Sequence, residues 1–75
     1  MSRVSEVRYE FHRLGEADWG FGAYYLVNGK YHELNPGFLG YPTEAAARAD
    51  AEAKRESFEK AKRLELAGKP YTIPR

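Results

Sequence analysis

The chain contains no cysteine. That excludes a disulfide framework and thiolate chemistry, and it removes the usual zinc ligand sets. Long apolar runs are also missing: nothing approaches the roughly 20 apolar residues that span a bilayer. The opening MSRVSEVRYEF carries a charge every few residues, where a signal peptide would have an apolar stretch. These absences point to a soluble cytoplasmic protein with no membrane partner. Excess charge of one sign is lacking too, since 12 Lys and Arg stand against 11 Asp and Glu for a formal charge of +1. No strong global field draws such a chain to nucleic acid, so any contact of that kind has to be local.

What the chain does have is core-forming side chains. Hydrophobic residues make up 43% and aromatics 15%, too rich a content for a disordered segment. Its 75 residues correspond to a single domain (1–75), and one so small leaves much of its surface exposed. Dimerisation or partner binding would therefore support it. Beginning at Met1, the sequence reads as a small stand-alone accessory, regulatory or inhibitor protein of the sort common in bacteria and phages.

Residues 4 to 14 alternate with period two, with Val7, Tyr9 and Phe11 on one side and Arg8, Glu10 and His12 on the other. A strand is expected there, and Gly15 to Asp18 make a short polar connection. WGFGAYYLV, over 19 to 27, reads as a second strand by its aromatic and β-branched content. Asn28-Gly29 follows, a pair suited to the positive φ angles of a type I′ turn. A two-residue turn then sets Val27 opposite Lys30, Leu26 opposite Tyr31, Tyr25 opposite His32, Tyr24 opposite Glu33 and Ala23 opposite Leu34. One sheet face carries Trp19, Phe21, Ala23, Tyr25, Val27 and Leu34, and the other Gly20, Gly22, Tyr24, Leu26, Tyr31 and Glu33. The third strand, 30 to 34, is expected to end at Asn35-Pro36-Gly37, with Phe38, Leu39 and Tyr41 in an apolar connection.

One long helix is expected from about 43 to about 67, capped by Thr43 and stopped by Gly68 and Pro70. Its apolar stripe is Ala47, Ala51, Phe58, Ala61 and Leu64, interrupted by Lys54. Small alanines let the helix approach the bulky Trp19 face closely. Arg48-Glu52, Glu56-Lys60 and Glu59-Arg63 at i,i+4 mark a solvated outer face. Residues 69 to 75 form an extended tail. The fold class is thus α+β, a three-stranded antiparallel sheet (β-β-β-α) with one long C-terminal helix on one face.

The residues supply no catalytic constellation, and no catalytic, metal-binding or cofactor residue is assigned. His12 and His32 fall on opposite faces, while Glu10 and Glu33 share an open sheet without a pocket to shift their acidity. The glycines of WGFG lie within a strand and lead into no helix, so they are no phosphate loop. Nothing in the sequence indicates a small-molecule substrate. Apolar groups stand on both faces of the second strand, however, and one helix covers only one. Tyr24, Leu26 and Tyr31, framed by Arg8 and Glu33, form the expected contact surface for a protein partner or a second copy, because tyrosine with a charged rim suits protein interfaces.

The stretch from Trp19 through VNGKY to GYPTEAAARA resembles the AP2-like and integrase amino-terminal DNA-binding domains, in which a three-stranded sheet precedes a glycine, an aromatic, a threonine cap and an alanine-rich helix. Gly40, Tyr41, Thr43 and Ala47 match that join. The resemblance implies a second reading, nucleic-acid binding through the open sheet face, for which Arg8 and Lys30 are the available cations. Glu10 and Glu33 on that face would repel phosphate.

Overall fold

The computed structural model describes residues 3–71 and residue 73, apart from the side chains of residues 35 and 36. Strands β1 (Arg8–Gly15), β2 (Asp18–Val27) and β3 (Lys30–Tyr41) are followed by helices α1 (Glu44–Ala53) and α2 (Arg55–Leu66). The strands form an antiparallel sheet in the order β1-β2-β3. At the β2–β3 hairpin Asn28 and Gly29 take φ of 52° and 83°, and the pairing runs from Val27↔Lys30 to Ala23↔Leu34 in the register expected from the turn.

Three expectations need correction. The first strand does not run unbroken from residue 4: Val4 makes an isolated bridge with Val27, and regular pairing resumes at Arg8↔Tyr24. The bridge sums to one position less than the later register, so one extra residue is accommodated between them. The third strand does not end at Leu34. Ala23 pairs with Leu34 and Phe21 with Phe38, so residues 35 to 37 bulge opposite Gly22 and the strand continues. A second irregularity at Gly40, whose φ is 90°, carries it to Tyr41↔Trp19. A bulge absorbs the residues that a sequence reading assigns to a turn, because the buried face of Phe38 pulls the strand back into line.

The third correction concerns the helix, which is broken at Lys54 (φ −99°, ψ 6°). Neither proline nor glycine causes the break. Lys54 occupies the apolar stripe between Ala51 and Phe58, and its ammonium reaches Asp50 at 2.5 Å while lying 5.3 Å from the Phe38 ring centroid. The side chain thereby stays partly solvated as the stripe continues. Thr43 does cap α1, with the Ala46 N–H donating to its Oγ1 at 3.1 Å. At the other end the Gly68 N–H donates to the Glu65 carbonyl and the Lys69 N–H to that of Leu64, the paired bonds of a Schellman stop around a left-handed Gly68.

The core lies between the sheet and the two helices. Phe21, Ala23, Tyr25 and Leu34 of the sheet meet Ala47, Ala51, Phe58 and Ala61 of the helices, with Val7, Phe38 and Ile73 completing it. Phe21 stacks on Phe38 with centroids 5.4 Å apart, and Phe58 meets both edge-on. Trp19, Tyr9 and Phe11 are half-buried at the rim. The Arg48 and Arg55 guanidiniums lie over the Phe11 and Tyr9 rings at 4.3 and 5.1 Å. The outer ion pairs differ from those expected: Arg48 reaches back to Glu44, Arg55 takes Glu52, and Lys62 takes Glu59. Each helix cation can reach carboxylates three or four residues away on either side, and sequence spacing does not choose between them. Ile73 places the tail against the core, and the rest of the expected tail at 72, 74 and 75 lies outside the described residues.

Candidate functional site

Both helices pack on the Phe21 side, and among the described residues no element covers the opposite sheet face. Alternation places Arg8, Glu10, His12 and Leu14 of β1 there, beside Gly20, Gly22, Tyr24 and Leu26 of β2 and Tyr31 and Glu33 of β3. Five residues named from the sequence, Arg8, Tyr24, Leu26, Tyr31 and Glu33, are thus brought together. The pairs Arg8↔Tyr24, Tyr24↔Glu33 and Leu26↔Tyr31 make them direct neighbours. Lys30 does not join them. It pairs with Val27 at the hairpin end and has the parity of the helix side, so the structure does not bring the two cations of the nucleic-acid reading onto one face.

At one end of this face the Tyr24 and Tyr31 rings stack with centroids 4.8 Å apart. The Tyr31 hydroxyl donates to Glu10 Oε2 at 3.4 Å, and the same carboxylate stands 3.8 Å from His12 Nε2. Partial burial raises the pKa of the Tyr31 phenol above its usual value, and the negative charges of Glu10 and Glu33 push it further. The phenol therefore stays protonated at neutral pH and acts as a hydrogen-bond donor, not a base.

The other end was not legible in the sequence. Leu39, 72% exposed, lies over Gly20 together with Leu14, which is 54% exposed. Between these leucines and the tyrosines runs a groove of about 160 Å³, floored by Gly20 and Gly22 and flanked by Glu10, His12 and Glu33. Strand parity alone would have put Leu14 on this face. Leu39 was missed because the third strand was ended before the bulge.

The two floor glycines have different reasons to be glycine. A Cβ on Gly20 would come within 2.6 Å of Leu39 Cδ2 and 3.0 Å of the Phe38 carbonyl oxygen, and the latter is backbone. On Gly22 the nearest atom is Glu33 Oε1 at 3.9 Å, an ordinary contact. Gly20→Ala is accordingly expected to lower stability by about 1–3 kcal/mol, as overpacking does. Gly22→Ala should change it by less than about 1 kcal/mol, since only the unfolded-chain entropy and strand propensity differ. Urea unfolding of the two variants checks this, and equal losses would mean that Leu39 does not sit on Gly20.

A larger cleft of about 660 Å³ follows α2 beside Tyr71, lined by Arg55, Glu56, Ser57, Glu59, Lys60 and Arg63. Its charges are substantially compensated within the chain. Arg55 holds Glu52, Lys60 lies over the Tyr71 ring, and Glu59 binds Lys62 and the Val7 N–H. Burial alone would raise the Glu59 carboxyl, but the Lys62 ammonium and the Val7 N–H together hold its pKa below the usual value. This furrow ties the segment before β1 to α2.

Among the described residues no group of three or more His, Asp or Glu side chains is placed to hold a metal ion. No described helix is long and apolar enough to cross a membrane. Compared with protein-family models, curated proteins and solved structures, the chain finds no match in any of the three.

Proposed function

We propose that this chain is a non-enzymatic interaction module that binds a protein partner through the sheet face opposite its helices. One observation carries the reading: of the five exposed large hydrophobic side chains among the described residues, Leu14, Tyr31 and Leu39 stand on that single face. Apolar groups clustered on one exposed surface and rimmed by charge are the pattern of a binding site, whereas scattered ones are ordinary. Tyr24 and Tyr31 offer rigid area with a polar tip, and the glycine floor lets a partner's side chain or backbone approach the sheet closely. Arg8 at one border and Glu33 beside the groove would orient what binds. Occlusion of a partner's surface or adaptor binding is the mechanism that such a face supports, as expected of a small accessory or inhibitor protein.

The test compares the proteins cross-linked to the wild-type chain, in the cells that make it, with those cross-linked to a Tyr24→Ala, Tyr31→Ala double variant. Both positions are outside the core, so the variant should keep its circular dichroism spectrum. Central tyrosines often contribute most of an interface's affinity, and about 2 kcal/mol each would weaken binding by roughly a thousandfold in total. A partner set unchanged by the double substitution would overturn the reading. Binding of random-sequence duplex DNA that survives the substitution, falls steeply with salt and is lost with Arg8→Ala would transfer the site to nucleic acid, because only phosphate neutralisation releases counterions in that way.

A further inference from the structure

The sheet has two outer edges, and the chain treats them differently. An open edge is a template for another strand unless it is broken, charged or covered. On β3 the edge is broken twice, by the bulge at residues 35 to 37 and again at Gly40, and Pro36 offers no N–H. On β1 the pairing with β2 is regular from Arg8 to Arg13, with no proline or bulge between them.

Which backbone groups of β1 face outward follows from its neighbour. The Leu26 N–H donates to Ser5 Oγ and the Leu26 carbonyl accepts from the Ser5 N–H, so Leu26 turns both groups toward the β1 side. Alternation gives the same orientation to Tyr24, Gly22 and Gly20, whose partners Arg8, Glu10 and His12 face back toward β2. Tyr9, Phe11 and Arg13 therefore present their N–H and C=O groups at the free edge. Among the described residues that edge is closed only at its beginning, where Glu59 accepts from the Val7 N–H and Lys62 donates to the Ser5 carbonyl. Among the described residues no side chain accepts from the N–H of Tyr9 or Phe11, and the nearby Arg55 and Arg48 guanidiniums, which have no acceptor, lie over their rings.

We propose that the β1 edge pairs antiparallel with the β1 edge of a second copy, about a two-fold axis through Phe11, joining the two sheets into one of six strands. Charge and prior occupation favour this register over those centred nearer the start of β1. Centring the pair on Glu10 would set Glu10 directly against its own counterpart. Centring it on Tyr9 would require the Val7 amide that Glu59 already holds. Centring it on Phe11 matches Tyr9 with Arg13 of the second copy and Glu10 with His12, opposite in sign whenever the imidazole is protonated, and it leaves Val7 free of the interface. Arg8 then faces Leu14. The two-fold axis stands perpendicular to the sheet, so both Tyr24 faces open on the same side and the dimer presents the proposed partner surface twice. The pairing does not depend on that surface having a partner.

Amide hydrogen exchange of the full chain, followed by NMR at rising protein concentration alongside light scattering, tests the pairing. Mass should rise from 8.6 kDa toward twice that value. Exchange at Tyr9 and Phe11 should slow in step with it, while the amides of Arg8, Glu10 and His12, already turned to β2, should hardly change. His12→Glu sets like charges opposite each other at both symmetry-related positions and should raise the dissociation constant by about tenfold. Exchanging the two residues, Glu10→His with His12→Glu, should restore it. A monomer at millimolar concentration overturns the proposal. So does a dimer whose Tyr9 and Phe11 amides stay open, or one indifferent to His12→Glu, because association would then use another surface. Loss of partner cross-linking in the Tyr24, Tyr31 variant with dimerisation intact would leave the edge pairing standing, and the converse would leave the partner face.

Discussion

Replacing Phe58 by alanine is expected to remove about 3–5 kcal/mol of stability, the usual loss for a fully buried phenylalanine. Its side chain is wholly buried, and its ring meets Tyr9, Phe21 and Phe38 edge-on at centroid distances of 5.6, 6.0 and 5.9 Å. It is the one large apolar side chain among the four residues by which the helices enter the core, the others being Ala47, Ala51 and Ala61. The alanines bring the backbones close but fill little space, so the cavity left by Phe58 would have no flexible neighbour to collapse into it. At roughly 0.05–0.15 kcal/mol per residue the whole chain is stable by only about 4–11 kcal/mol. The variant should therefore lose a large share of the stability the whole fold has. Urea unfolding followed by the fluorescence of Trp19, the single tryptophan, would show it. A loss below about 1 kcal/mol would mean that α2 is not seated on Phe21 as described.

The second large effect is expected at the far end of the chain. Ile73 is 1% exposed, although Lys69 and Pro70 before it lie in solvent. Ile73→Ala should cost about 2–5 kcal/mol, as isoleucine truncation in a core does. Leu66→Ala, at a residue 48% exposed near the end of α2, should cost less than about 1 kcal/mol. The contrast separates a tail that belongs to the core from one that merely follows it. Equal effects at the two positions would place Ile73 at the surface. Tyr71 stands with Ile73 in this respect, half-buried beneath the Lys60 ammonium.

Buried phenols shape the stability of the same core. The Tyr25 hydroxyl donates to Glu65 at 3.1 Å, and burial first, then that bond and the glutamate charge, push its pKa up to about 12. The Tyr9 hydroxyl lies buried without a hydrogen-bond partner among the described residues. Burial raises its pKa as well, partly offset by the nearby Arg55 cation. Both phenols are neutral through the range in which the fold is most stable, and the polar edge they bring into the core is tolerated because each carries a large apolar ring with it.

The sequence by itself determined the β2–β3 hairpin, its register and the side of the sheet that residues 8 to 34 take. Asn28-Gly29 specifies a turn whose backbone few other pairs adopt, and the turn in its turn specifies the register from Val27 to Ala23. Once strands alternate, Tyr24, Tyr31 and Leu26 must share a face. These are properties of neighbouring residues and of period-two geometry.

Only the tertiary structure decided the rest, because it depends on contacts between residues distant in sequence. Phe38 finds the Phe21 ring, and that contact carries β3 through a bulge instead of letting it end at Pro36. The continuation delivers Leu39 onto Gly20, where the glycine's missing side chain makes the space, and the open face gains its second apolar cluster. Lys54 breaks the helix because its place in the stripe lies under Phe38 and beside Asp50. The same reason applies at the β1 edge, where Glu59 and Lys62, more than fifty positions away, close the strand at Ser5 and Val7. Local propensity sets which strand can form. Long-range packing sets where it stops and which of its edges remains open.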